Sequence, residues 1–397
     1  MIFATYWFVL FVVVFFPLYW FARPAWVRLS LLLVFCAAFQ AHFAGAAGMA
    51  PILVLATLTY LAGLIRTKWT LRIGMIVPVA ALVLYKYAHF FALKVVGAIN
   101  AGAGNHLEEW ARHWLPVAPP LAISFFTFEF VHYLYDVSKG SPSIRNPAKF
   151  AAFGFFFPSL VAGPIKRYQP FQVSLKDGLS GVALDQVKLG LMRVAVGYAK
   201  KSVIADNISA MIDFYQPQFA QLSYLGRWEV FLGIGVRIWA DFSGYSDIAI
   251  GFAQMMGIRI PENFNWPYLA TNLQGFWQRW HISLSLWIRD YVYIPLGGNR
   301  HGIVRKMLNA LIAFGLVGLW HGADWHFVLW GIYHGTGLAV SSNYRTILGK
   351  PGKEIGAAFD AFPIIGWAIT TMFVFCGWLL FFYPADEAMR MLGMLIS

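Results

Sequence analysis

Apolar runs dominate the chain and are broken by short, mostly basic stretches. Residues 1–21 carry no charge. As a helix they would be about 30 Å long, enough to cross a bilayer. Arg23, Pro24 and Arg28 follow as a basic loop. Two further runs, 29–43 and 51–65, are separated by an uncharged connection over 44–49. Arg66, Lys68 and Arg72 close the third run, and 73–93 forms the fourth. The first and third loops are therefore the basic ones. The positive-inside rule puts them in the cytoplasm and the N-terminus outside.

Residues 94–118 are polar and Gly-rich, with Glu108, Glu109 and Arg112, and read as an external loop carrying a short surface helix. The run 120–137 is apolar but holds Glu129 and His132, which at i, i+3 spacing can satisfy each other. After the basic turn 139–149, the run 150–162 ends at Gly163, Pro164, Lys166 and Arg167. A segment that short reads as re-entrant. Residues 182–215 read as a helix lying partly in the interface, with Lys188, Arg193, Lys200 and Lys201 among apolar positions. The run 228–258 contains Arg237, Asp241 and Asp247. Residues 307–320, 327–340 and 362–383 complete the set.

The segment 263–298 has a different pattern. Leu273, Phe276, Trp277, Trp280, Leu284, Trp287, Ile288 and Tyr291 follow i, i+3, i+4 spacing. They predict one amphipathic helix with a single apolar stripe and His281 at its edge, suited to a protein with a polar interior.

Composition narrows the class. Of 397 residues, 59% are hydrophobic and 12% charged, with mean hydropathy +0.61. That charged fraction is about half the usual soluble value. It excludes disorder, a disulfide scaffold and an ordinary cytosolic enzyme. The net charge of +12 falls largely in loops, so it reads as topology and contact with anionic membrane lipids, with no nucleic acid partner. Cys36 and Cys376 lie inside apolar runs and read as reduced core residues. No basic n-region precedes the first run, which is too long for an h-region, so a cleavable signal peptide is not expected. No fixed repeat or low-complexity linker divides the chain. The expectation is one all-α polytopic membrane domain over 1–397, with N-terminal spans in 1–93, a core in 120–335 and a C-terminal span in 345–397.

Ionisable groups inside apolar runs are costly and mark candidate sites. The densest cluster is Leu319-Trp320-His321-Gly322-Ala323-Asp324-Trp325-His326. His321 ends an apolar helix just before a glycine that lets the chain break. A histidine in a low-dielectric site can stay neutral and act as a general base; it can equally be a core histidine satisfied by a neighbour. No His pair at i, i+4 and no Cys pair is present, so no metal site is expected. Gly244-Tyr245-Ser246-Asp247-Ile248 misses the nucleophile-elbow pattern at its last position. No phosphate-binding glycine loop occurs. Asp241, Ser243, Tyr245 and Asp247 crowd four polar side chains into one apolar run, with Arg237 placed one turn before Asp241 to pair with it. The alternative reading is a polar cavity lining. These features alone do not separate an enzyme from a transporter.

The motifs add a resemblance. Asn263-Phe264-Asn265-Trp266-Pro267-Tyr268, then Phe276 to Ser285, then Trp287-Ile288-Arg289-Asp290-Tyr291 to Ile294-Pro295-Leu296-Gly297-Gly298-Asn299-Arg300 are very similar to the membrane-bound O-acyltransferase superfamily. Leu319-Trp320-His321-Gly322 with Trp325 matches its second hallmark. Asp241 to Asp247, and Phe157-Pro158 to Gly163-Pro164-Ile165, also resemble its bacterial branch. The resemblance covers about residues 120–335 and implies a helical bundle of about nine to eleven membrane segments, with re-entrant and amphipathic helices around a central tunnel. The Ile-Pro-Leu-Gly-Gly-Asn-Arg ending is similar to the alginate O-acetyltransferase branch. The D-alanyl-lipoteichoic acid branch is the alternative, and the chain's length is closer to it.

The resemblance implies transfer of an acyl group, most simply acetyl, from a cytoplasmic thioester to a hydroxyl of an exported polysaccharide or an extracytoplasmic partner protein. The donor would be acetyl-CoA or, in the alternative, a phosphopantetheinyl acyl carrier protein delivering D-alanine. No tightly bound cofactor is expected, and the location implied is the cytoplasmic (inner) membrane. His321 matches the family's catalytic histidine and His281 the second motif position, where it would orient the acceptor or bind the developing oxyanion. Trp277, Trp280 and Trp320 would narrow the tunnel. Asp241, Tyr245 and Asp247 would line it, and Lys166, Arg167 and Arg289 would meet donor phosphates. The rival classes are a transporter or flippase of a polysaccharide precursor and an assembly scaffold.

Overall fold

The computed structural model describes residues 2–116 and 118–397, and every regular element among them is helical. Four helical stretches are long and apolar enough to cross a membrane: Ala25–Ile65, Lys68–Ile99, Gly302–His321 and Pro363–Phe382. Only 28–39% of their most apolar windows is buried within the protein. Val34, Val54, Ile73, Ile76, Ile364 and Ile369 stay exposed. A water-soluble fold does not leave such long, contiguous apolar faces bare; a bilayer covers them. Tyr6–Phe21 is a shorter apolar helix.

Most expected elements are present, and two differ. The 44–49 connection is no loop. The helical path runs through Ala25–Ile65, and only Gly45, at φ 64° and ψ 174°, leaves helical geometry. Ala44, Ala46, Ala47 and Ala50 surround it, and alanine is the best helix former, so the break shrinks to one glycine. The expected amphipathic helix is instead two short ones, Leu273–Trp277 and Ile282–Ile288, followed by a π turn over Arg289–Tyr293. The segment read as re-entrant holds only Pro147–Gly154 and a 3-10 turn at Phe157–Ser159. Ala101–Trp114 is the short helix expected after the fourth run.

The chain forms two compact units interleaved in sequence. The first comprises residues up to Ala195 together with Asp247–Pro261. Its centre is a stack of Phe8, Phe11, Phe15, Phe39 and Phe157. Close backbone approach ties its elements: a Cβ at Gly190 would meet the Gly251 carbonyl at 2.7 Å. Small residues permit such contacts where no hydrophobic force drives helices together.

The second unit comprises Val196–Ser246 and Glu262–Ser397. Gly302–His321 and Trp325–Ser341 pack against each other after the chain breaks at Gly322, whose φ and ψ are −164° and 154°. Gly318 and Gly331 face each other there, and a Cβ on either would come within 3.1 Å of the other's Cα. This pairing sets His321 at a helix end.

Candidate active site

The site is built on a short antiparallel pairing in the second unit. The extended stretch starting at Asn263 pairs with residues 279–282. Asn265 N–H donates to the Arg279 carbonyl at 2.9 Å, Ile282 N–H to the Asn263 carbonyl at 3.0 Å, and Phe264 bridges Trp280. This pairing breaks the helix that the apolar spacing predicted. The turn forces His281 to φ 43° and ψ 53°, a left-handed conformation uncommon outside glycine. Its imidazole is thereby turned inward and is 1% exposed.

His281 Nδ1 lies 3.0 Å from Asn263 Oδ1. The same oxygen accepts from Ser283 N–H at 3.3 Å and Ser283 Oγ at 2.8 Å. Asn263 Nδ2 donates to Ser246 Oγ at 3.2 Å. His281 Nε2 is buried with no hydrogen-bond partner among the described residues. Burial pushes the His281 pKa down to about 3, because a charged imidazolium here would be desolvated.

Two aromatic steps lead from His281 to His321. The His281 ring is 6.1 Å from Trp320, and Trp320 is 4.7 Å from His321. Phe242 closes the other side of His281 at 4.7 Å. His321 is half-buried and also touches Trp330 at 5.1 Å and Phe381 at 5.0 Å. The structure thus brings the two motif histidines to one neighbourhood with Trp320 between them. Trp277 lies farther along, against Trp330 and His334. Trp280 packs away into a core stack with Trp378, Phe276 and Tyr268. His326 faces Asp324 at 3.3 Å.

Trp277 also lines a cavity of about 420 Å3 floored by Leu284, Ala310, Phe314 and Val317. Arg289 and Lys306 are among its lining residues. A second cavity of about 810 Å3 runs past Tyr333, Thr336, Tyr344 and Arg345.

Several expected partnerships are corrected. Asp241 does not pair with Arg237. It pairs with Lys201 at 2.7 Å, while the Arg237 guanidinium sits 4.4 Å over the Phe382 ring. Glu129 and His132 do not satisfy each other. Glu129 bonds Lys166, whose ammonium lies 5.2–5.9 Å from the rings of Phe153, Phe156 and Phe171. Lys166, 1% exposed, is thus buried against a carboxylate rather than presented to a phosphate. Arg167 is half-buried beside it in sequence. Asp247 pairs with Arg193 at 3.1 Å, within the first unit, and Tyr245 is buried. Arg289 is exposed and bonds Asp290 at 2.7 Å. Asn263, Ser283 and Ser246 had no role assigned from sequence. The only signal was that Asn263 opens the first motif.

The sequence profile of the membrane-bound O-acyltransferase family matches residues 118–384. The chain is 36% identical over 332 residues to the probable alginate O-acetylase AlgI of Azotobacter vinelandii, covering 83% of this chain and 63% of that protein. It is 35% identical to the peptidoglycan O-acetyltransferase of Helicobacter pylori, over 78% of this chain and 61% of that one. The teichoic acid D-alanyltransferase of Bacillus subtilis is 31% identical over 56% of this chain and 60% of its own length. The chain therefore spans about three-fifths of the length of these curated relatives.

Proposed function

The chain belongs to the membrane-bound O-acyltransferase family, and from that premise we propose that it moves an acyl group, most simply acetyl, from a cytoplasmic thioester to a hydroxyl. The acceptor is an exported polysaccharide or an extracytoplasmic partner protein. The observation that carries this reading is the pairing of His281 and His321 across Trp320. Names of relatives add weight, since one is a probable alginate O-acetylase and another a peptidoglycan O-acetyltransferase.

In the proposed reaction, the acceptor oxygen attacks the thioester carbonyl. The new C–O bond forms, the C–S bond breaks, and the thiolate leaves. His321 takes the hydroxyl proton and returns one to the thiolate. Such general-base help is typically worth about 10² to 10⁴ in rate. His281 positions the acceptor substrate. Trp320 and its aromatic neighbours exclude water, which limits hydrolysis of the thioester. The cavity with Arg289 and Lys306 suits the donor, with cations for phosphates and an apolar floor for the arm. Acetyl-CoA fits that description. A carrier protein bearing a D-alanyl phosphopantetheine does too, and the likeness to a teichoic acid D-alanyltransferase keeps it as the second reading.

The test is incubation of the purified full chain with acetyl-labelled CoA. Label transfer or slow thiol release supports an acyltransferase. Neither turnover nor donor binding, with D-alanyl carrier protein also inert, would leave the transporter class. The proposed location is the cytoplasmic membrane with the N-terminus outside. A reporter fused at residue 1 that is active only in the cytoplasm would contradict that orientation.

A further inference from the structure

We infer that Asn263 is the positioning residue of this site: it locks His281 with its proton on Nδ1 and leaves Nε2 as the atom that accepts a hydrogen bond from the acceptor substrate, from a group other than the hydroxyl that His321 deprotonates. The inference rests on the acyltransferase reading for the identity of that acceptor. The tautomer itself follows from geometry alone.

The oxygen and nitrogen of a side-chain amide have nearly the same shape, so their partners must identify them. The Ser283 backbone N–H can only donate, and it lies 3.3 Å from Asn263 Oδ1. That atom is therefore the carbonyl oxygen. The other end then donates to Ser246 Oγ at 3.2 Å, so both ends of the amide are anchored. An oxygen can only accept, so His281 Nδ1, 3.0 Å away, must carry a hydrogen. A neutral imidazole has one such hydrogen, and Nε2 is left with a lone pair.

The surroundings keep the ring neutral. Phe242 and Trp320 face it, and its Nδ1 meets the Asn263 amide oxygen, which also accepts from the Ser283 hydroxyl. The charges nearest in sequence on the Phe242 helix are Asp241, paired with Lys201, Asp247, paired with Arg193, and Arg237, which lies over the Phe382 ring. His321 stands beyond Trp320. With its one N–H engaged by Asn263, neutral His281 cannot donate to a developing oxyanion. It can accept from an O–H. Of the two roles expected from sequence, orienting the acceptor is the one this geometry supports.

The test uses the full chain in lipid nanodiscs, labelled with 15N-histidine. The His281 ring signals are assigned by their loss in His281→Gln. The result expected is protonated Nδ1 and unprotonated Nε2. A proton on Nε2 would overturn the inference whatever the protein's activity. Thiol release from acetyl-CoA then reads the consequence. Asn263→Leu should lower kcat about 10- to 100-fold with the KM for acetyl-CoA unchanged, as loss of an orienting partner does. Asn263→Asp keeps an acceptor oxygen and should recover rate at high pH. Its carboxylate favours imidazolium, so the acidic limb should move to higher pH. An Asp variant whose profile superimposes on wild type would contradict the positioning role, and so would a folded Leu variant with unchanged kcat. If Asn263→Leu does not fold, the wild-type spectrum and the Asp profile decide. A wild-type chain that never turns over acetyl-CoA counts against the acyltransferase reading, and the spectrum still judges Asn263.

Discussion

His132 in the first unit and His281 in the second are both wholly buried, and both carry their hydrogen on Nδ1. They differ in what the other nitrogen does. His132 Nδ1 donates to the Phe128 carbonyl at 3.0 Å, and its Nε2 accepts from Tyr168 N–H at 3.3 Å. Both nitrogens are engaged by backbone, so this ring ties a helix to the chain entering the next one. His281 is held on one side only, by Asn263, and its Nε2 meets no partner among the described residues. Burial and neutrality are common to both rings and do not separate them. The open nitrogen is what sets His281 apart.

Mutations should separate the two regions. His281→Ala is expected to lower acyl transfer by about 10²-fold, through loss of acceptor orientation. The unfolding temperature should barely change, and an unchanged rate would reduce His281 to a packing residue. Lys166→Met should act on stability instead. It strands Glu129 buried without its cation, at a cost of about 3–5 kcal/mol, read by thermal unfolding in lipid. A variant as stable as wild type would show that the pair is not what pins the segment before it. His132→Leu removes two backbone partners and should cost about 1–3 kcal/mol, leaving kcat of the folded fraction unchanged. Asp241→Asn is the smallest effect. The carboxylate is half exposed, so losing its charge against Lys201 should change stability by no more than about 1 kcal/mol.

Much of the fold was legible because bilayer-length apolar runs are a strong signal. The helices Gly302–His321 and Pro363–Phe382 fall close to where hydropathy put them. Burial in the amphipathic segment also followed the predicted stripe, with Leu273, Phe276, Trp277, Leu284, Trp287 and Ile288 all buried. Its continuity did not hold. Periodicity is satisfied on each side of His281, and the link to Asn263 that breaks the helix is a pairing across 18 residues that a local pattern cannot express. The same limit explains the mistaken ion pairs. Sequence proximity offered Arg237 to Asp241 and His132 to Glu129. Tertiary packing decided the partners instead: Lys201 reaches Asp241, and Lys166 reaches Glu129 from 37 residues away. His281 and His321 were singled out by their motifs, and the structure brings them to one neighbourhood. Asn263 stood in the first motif, but its work depends on a fold that brings Ser246, Ser283 and His281 around one amide.

The acyltransferase account is tested most directly by label transfer from acetyl-labelled CoA, comparing wild type with His321→Ala in the same nanodiscs. The account predicts turnover by the wild type and a loss of about 10² to 10⁴ in the variant, at an unchanged unfolding temperature. A folded His321→Ala protein that transfers acetyl at the wild-type rate would contradict it.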